Sequence, residues 1–390
     1  VCSGLIGAGI PVCDALRARI TAETGIAHVL LNFSHPHSSR GLGAYADTPS
    51  DDAWLAATQD AMVAVVAEAA GAMEPVTLKA GRAPVQVGFN RRVVSDEGYV
   101  FMAPNEEGSV VPWVNVLVAD AADGSPMCVL FQHTAHPVIV PDDIAMTSAD
   151  FPGIAATRIS NALGNGAIAM FAQGCAGNIN GFPLRSSYDK AVAAGDALAA
   201  AVLGAIDSCQ PIAADAFDIR FAETTLPAVT IPPVDEWRKP MEALKIEHAA
   251  GKYPHWSDAE FARFLTHFDK LEAMQGRGET PPDWPMNATC ISLSDEWAVV
   301  ALPHEMFCDY ELWVDAQAPF AHTMVFNYTN GATGYIPTDD AIAMGAKAGY
   351  EASSLPSWGS ANVMTRHFGP PAVGAEGLIK DLVASLWRNA

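Results

Sequence analysis

Short apolar runs with the composition of buried strands alternate along this 390-residue chain with stretches whose apolar positions recur every three to four residues. The first half reads as a helix over 11–23, a strand over 27–33 and a helix over 50–73. Ser50 is the candidate N-cap of that helix, with Asp51 and Asp52 in a first turn where carboxylates suit the helix dipole. Strand patterns follow over 85–94, 114–118 and 127–132, the last two joined by a connection containing Asp123-Gly124, a hairpin signal. A helix over 150–163, a buried strand over 167–171 and an Ala-rich helix over 187–206 complete this half. Residues 233–284 are charge-rich and helical, a helical insertion that either decorates the fold or walls a site. Strands over 289–293, 297–302 and 323–328 and a helix over 374–387 close the chain. The pattern predicts an α/β protein with a mixed β-sheet flanked by helices.

Three of these strands run into an imidazole or a carboxylate. Leu30-Leu31-Asn32-Phe33-Ser34-His35-Pro36-His37 places His35 and His37 two residues apart, on one face of an extended chain. Phe131-Gln132-His133-Thr134-Ala135-His136-Pro137 follows an apolar run in the same way, and Pro303-His304-Glu305 follows the run 297–302. A lone histidine at a strand end is commonly a hydrogen-bonded structural group. Three such segments at strand-to-loop transitions, however, fall where α/β proteins place their chemistry, and a catalytic metal needs three protein ligands and an open position.

Composition narrows the class of protein. Half of the residues are hydrophobic, enough for a large core, and the chain reads as soluble and globular. Its formal charge of -22, without a basic patch, disfavours nucleic acid and anionic membranes as partners. No apolar stretch is long enough for stable membrane insertion. Seven cysteines without a Cys-x-x-Cys suit a reducing, cytoplasmic setting. The opening Val1-Cys2-Ser3-Gly4-Leu5-Ile6-Gly7 reads as the end of a strand begun earlier, so a leader or opening segment is expected ahead of it. Nothing in the sequence requires or forbids a homo-oligomer.

Two Gly-rich loops follow strands. Gln173-Gly174-Cys175-Ala176-Gly177-Asn178-Ile179-Asn180-Gly181 lets backbone approach a ligand closely and lacks the Lys-Ser/Thr end of a phosphate-binding loop. Cys175 in it reads as a small buried thiol rather than a nucleophile. The second loop, 327–338, carries Tyr335, and Tyr350 follows. A phenol can donate to an oxyanion or, as phenolate, ligate a metal.

In order, Ser34-His35-Pro36-His37-Ser38, Asn90-Arg91-Arg92, Ala135-His136-Pro137, Ser148-Ala149-Asp150-Phe151-Pro152-Gly153, Gln173 to Asn178, Leu302-Pro303-His304-Glu305 and Tyr335-Ile336-Pro337-Thr338 resemble the catalytic domain of the neutral/alkaline ceramidases. The resemblance implies one zinc ion per chain, held by His35, His136, Glu305 and Tyr335. It implies that His37 lies beside the metal and assists proton transfer, and that Arg91 and Tyr350 hold substrate or oxyanion. Gly174, Asn178 and Asn180 become candidates for substrate binding. The implied reaction is hydrolysis of a linear N-acyl amide by a metal-activated water.

Two departures shift the expected substrate. Asn180 stands where that family has serine, and the chain stops at Ala390, before any C-terminal immunoglobulin-like domain. The expectation is a single ceramidase-like domain over 1–390 acting on a small-molecule amide smaller or more polar than ceramide. A zinc esterase or lactonase is the alternative within the same chemistry. A non-catalytic binding protein is the alternative outside it, suggested by Asn180 and by Gly4, where relatives usually place an acid.

Overall fold

A computed structural model describes residues 1–42, 51–141, 147–252, 258–354 and 361–387. Two mixed sheets dominate it. The first has the strand order Gln210–Ile212, Thr77–Pro84, Trp113–Asp120, Pro126–His133, Ile168–Gln173, antiparallel throughout except for the parallel last pair. The second has the order Asp218–Leu226, Trp284–Ser292, Trp297–Ala301, His322–Phe326, and again only the last pair is parallel.

Side chains alternate across each sheet, and both faces are buried along the central strands. In the second sheet Trp297, Val299 and Ala301 join Met324 and Phe326 in a cluster with Ala80, Ala172, Leu117 and Leu130 of the first sheet. Their neighbours Ala298 and Val300 pack instead with Tyr310 and Val314 of the helix Cys308–Gln317 and Ile379 and Val383 of the helix Ala375–Ser385. On the first sheet Val114, Val116, Val118, Val129 and Phe131 meet Phe151, Ile159, Leu198 and Val202 of the helices Asp150–Leu163 and Tyr188–Ile206. The result is four layers, helix, sheet, sheet, helix.

Smaller units complete the frame. Val100–Asn105, Gly88–Val94 and Ile179–Gly181 form a three-stranded antiparallel sheet, and Glu305–Met306 pairs in parallel with Tyr335–Ile336. The charge-rich region contains the helices Val234–Ala249 and Asp258–Gly276, which share an apolar cluster with Ile231 and Phe368. No helix of the described residues is long and apolar enough to cross a membrane, and all seven cysteines are free.

Three expectations change. Ser50 lies outside the described residues, and the helix Asp52–Gly71 is capped by Asp51, which accepts from Trp54 N. The strand expected over 27–33 is only Asn32–Phe33, because its parallel partner is the two-residue Cys2–Ser3. His35 is therefore not on a pleat: its backbone is left-handed, φ 66°, and the chain turns there.

Phe131 is fully buried and meets Phe171 edge-on at 5.5 Å, whereas Ile168 is 59% exposed. Phe131→Ala is expected to lower unfolding free energy by about 3–5 kcal/mol and Ile168→Ala by under about 0.5 kcal/mol, as read from urea titrations.

Candidate metal centre and active site

The ends of the two parallel pairs are joined, since Asn327 N just past the second donates to Gln173 O at the end of the first at 2.9 Å. The segments that leave them, with the turn after Asn32–Phe33, carry nearly every residue singled out above, which is the usual position of a site in an open α/β sheet. Each side chain is placed by backbone bonds of its own. His136 is locked to the short strand beside it, since its N donates to Ile179 O at 2.9 Å and its O accepts from Gly181 N at 2.9 Å. Glu305 and Tyr335 are register partners, so both project from one small parallel ladder. Asn327 holds the approach to Glu305: its Oδ1 accepts from Met306 N at 2.9 Å and its Nδ2 donates to Pro303 O at 3.0 Å. Gly177 lies against that ladder so closely that a Cβ would stand 2.6 Å from Glu305 O.

Ligand atoms of His35, His37 and His136 lie within 4.8 Å of one another. Glu305 Oε2 is 3.5 Å from His35 Nε2 and 3.3 Å from His136 Nε2. The proton arrangement decides what this means. His35 Nδ1 lies 2.5 Å from Ile6 O and His136 Nδ1 lies 2.6 Å from Ala176 O, and a carbonyl can only accept. Each Nδ1 therefore carries the hydrogen, and in the neutral ring each Nε2 offers a lone pair. Two imidazole lone pairs and a carboxylate oxygen face one another, with His136 Nε2 and Glu305 Oε2 making no hydrogen bond among the described residues. Buried acceptors arranged in this way fit a divalent cation, with carbonyls behind the histidines as in known metal sites.

Electrostatics agree with neutral His35 and His37 beside an ionised carboxylate. Burial lowers His35 to about 4 and holds His37 well below its usual range, with the neighbouring histidines adding to the shift at His37. Burial by itself would raise Glu305, but His35, His136 and Arg91 outweigh it and bring the carboxyl down to about 2. Tyr335 is pushed well above its usual value, first by burial and then by Glu305.

Tyr335 stacks over His136 at 6.4 Å and meets Tyr350 at 5.6 Å. Arg91 lies near both tyrosine rings, at 5.3 and 5.7 Å from their centres. It is buried, and Nε donates to Glu351 at 2.7 Å, Nη1 to Asn180 Oδ1 at 2.8 Å and Nη2 to Gly177 O at 2.7 Å. Tyr350 stands at the edge, 39% exposed. His37 is half-buried at the other side, and its Nε2 has no hydrogen-bond partner among the described residues.

Gly174 and Asn178 are committed to the framework. A Cβ on Gly174 would meet Gln132 Nε2 and Glu311 Oε2, each at 2.5 Å, while Asn178 accepts from Cys308 N and donates to Asp309. His133, the other half of its His-x-x-His, points away and bonds Trp113 O.

Sequence reading passed over Tyr328, whose ring lies 4.6 Å from that of His35, and Asn362, which bonds Tyr335 N, Tyr335 O and Glu351 O. It also passed over Glu351 as the bridge between Arg91 and Arg92. Polar residues in irregular loops carry no periodicity, so only the Tyr350-Glu351 pair offered a signal.

No family model and no curated protein matches the chain. Among solved structures it is similar to the neutral ceramidase from Pseudomonas aeruginosa, with a TM-score of 0.69 and 15% identity over 99% of this chain and 65% of that one. It is also similar to a ceramidase complexed with C2, with a TM-score of 0.67 and 16% identity over 98% of this chain and 65% of that one. The chain has the neutral ceramidase fold, in agreement with the likeness read from its ordered motifs, and it spans 65% of the length of those structures.

His35, His133, His304 and His367 are each lowered by burial from 6.5 to about 4. Protonation therefore favours the unfolded chain: stability is full above about pH 6.5 and is lost as the pH falls toward 4. Denaturant titrations of metal-free protein across this window should show the loss, and His133→Gln should make it shallower.

Proposed function

We propose that this protein is a zinc-dependent hydrolase of linear N-acyl amides, with His35, His136, Glu305 and Tyr335 as ligands of one zinc ion per chain. The observation that carries the reading is the convergence of His35 Nε2, His136 Nε2 and Glu305 Oε2 on a neutral ceramidase fold. Zinc held by such a set lowers the pKa of water to about 7 and so supplies a nucleophile at neutral pH.

The chain's own groups do the rest. His37, neutral and with Nε2 uncommitted, takes up a proton and passes it to the leaving amine. Arg91 is held by Glu351, Asn180 and Gly177 and hydrogen-bonds Tyr335, and a guanidinium has five N–H groups, so a donor remains for the carbonyl oxygen as it gains charge. Tyr350 stands at the same end and adds a phenolic donor. Of the loop residues considered for substrate contact, Asn180 is beside Arg91, whereas Gly174 and Asn178 act by shaping the loop. An amide side chain bonded to Arg91, in place of a serine, favours a substrate smaller or more polar than ceramide. The free cysteines favour a reducing, cytoplasmic setting.

A zinc esterase or lactonase would use the same groups, and matched ester and amide substrates separate the two. Purified protein should carry about one zinc by elemental mass spectrometry. His136→Ala should lose zinc and activity together, and His37→Ala should keep zinc and lose rate. Activity in zinc-free His136→Ala would overturn the proposal. Arg91→Met should retain zinc and lower kcat/KM by about 100-fold.

A further inference from the structure

The bonds from Ile6 O and Ala176 O orient the rings of His35 and His136 but do not set the distance between the two segments that carry them. Past the histidines the segments are joined by the backbone bond from His37 N to Pro137 O at 3.2 Å, and ahead of them by one side chain. Gln173 is fully buried, and its Nε2 donates to Ser34 O and to Ala135 O, each at 2.9 Å. These carbonyls belong to the residues immediately before His35 and His136. We propose that Gln173 is the positioning residue that fixes the spacing of the two candidate metal histidines, an inference that rests on the metal reading of His35 and His136.

The amide is suited to this in a way few side chains are. Both hydrogens on Nε2 are used, and they diverge at about 120° from one planar nitrogen, so the two carbonyls are held at one separation. The orientation is fixed as well, because a flipped amide would set Oε1 against two carbonyl oxygens. Gln173 is itself clamped at the backbone. Its N donates to Asn32 Oδ1 at 3.0 Å, its O accepts from Asn327 N at 2.9 Å, and it is the register partner of His133 at the end of the parallel pair. Asn32 Nδ2 then reaches across to Asn327 O at 2.6 Å. The spacing of the histidines is thus tied to the ends of both sheets through bonds to the backbone ahead of each histidine.

Zinc affinity by chelator competition, the absorption spectrum of the cobalt-substituted protein and the melting temperature of the metal-free form test this on wild type, Gln173→Met, Gln173→Asn and Asn115→Leu. Gln173→Met keeps the volume and loses both donors. Gln173→Asn keeps the amide but is too short to reach both carbonyls, and serves if the first variant does not fold. Asn115→Leu removes a buried bond to Gln132 at 2.7 Å that involves neither Ser34 O nor Ala135 O, and reports the effect of lost stability. The expected result is zinc binding weakened by about 10- to 100-fold and a changed cobalt spectrum in the Gln173 variants, with affinity and spectrum unchanged in Asn115→Leu. Gln173 variants that bind no more weakly than Asn115→Leu, with the wild-type cobalt spectrum, would overturn the positioning role and leave the metal reading standing. A wild type that binds no zinc would overturn both.

Discussion

His35, His136 and Glu305 reach one another from three separate segments, and each is held by backbone carbonyls or a neighbouring strand rather than by the other two. That matters because lone pairs facing one another repel, and in a medium of low dielectric the repulsion is strong. Left to local preference the rings would turn aside. The protein prevents this by giving each Nδ1 a carbonyl it cannot exchange for another partner, so that the convergent arrangement is built into the tautomers.

Holding such an arrangement is costly, and the cost is visible in the backbone. His35, His304, Tyr328 and Asn330 all occupy the left-handed region, with φ between 53° and 66°, and all four lie in the segments that meet at the site. Non-glycine residues there are strained by roughly 1 kcal/mol or more each. Offsetting this are buried polar bonds around the cluster. Glu351 binds Arg91 and Arg92 at 2.7 and 2.6 Å, and Asn362 ties Glu351 to Tyr335. His304 is satisfied on both sides, by Pro285 O and by Thr333, and Trp284 packs between it and His367.

The fold was legible where periodicity was strong. The helix Asp150–Leu163 matches its expected limits, and Tyr188–Ile206 begins one residue past its predicted start, with Ser187 as its cap. The strand Asp218–Leu226 was missed because alternate residues are exposed and its apolar content is low. The strand Val100–Asn105 and the helix Cys308–Gln317 have no marked pattern either. At the site, the histidines were found for a reason the structure revises: spacing suggested a pleat, and a left-handed turn at His35 brings the rings of His35 and His37 to 5.2 Å. Asn32, Gln173 and Asn327 lay inside quoted motifs, but nothing in a motif says that an amide will face two carbonyls.

The bond from Asn32 to Asn327 joins residues 295 apart in sequence, and that from Leu31 N to Asn330 joins residues 299 apart. Contacts of that separation slow folding, since the chain must close a long loop before anything rewards it. A ribosome making this protein releases the histidine pair long before Glu305 and Tyr335 exist. The cluster of His35, His136, Glu305 and Tyr335 is therefore incomplete throughout synthesis of the N-terminal half. Assembly of the cluster becomes a late event, coupled to closure of the second sheet against the first.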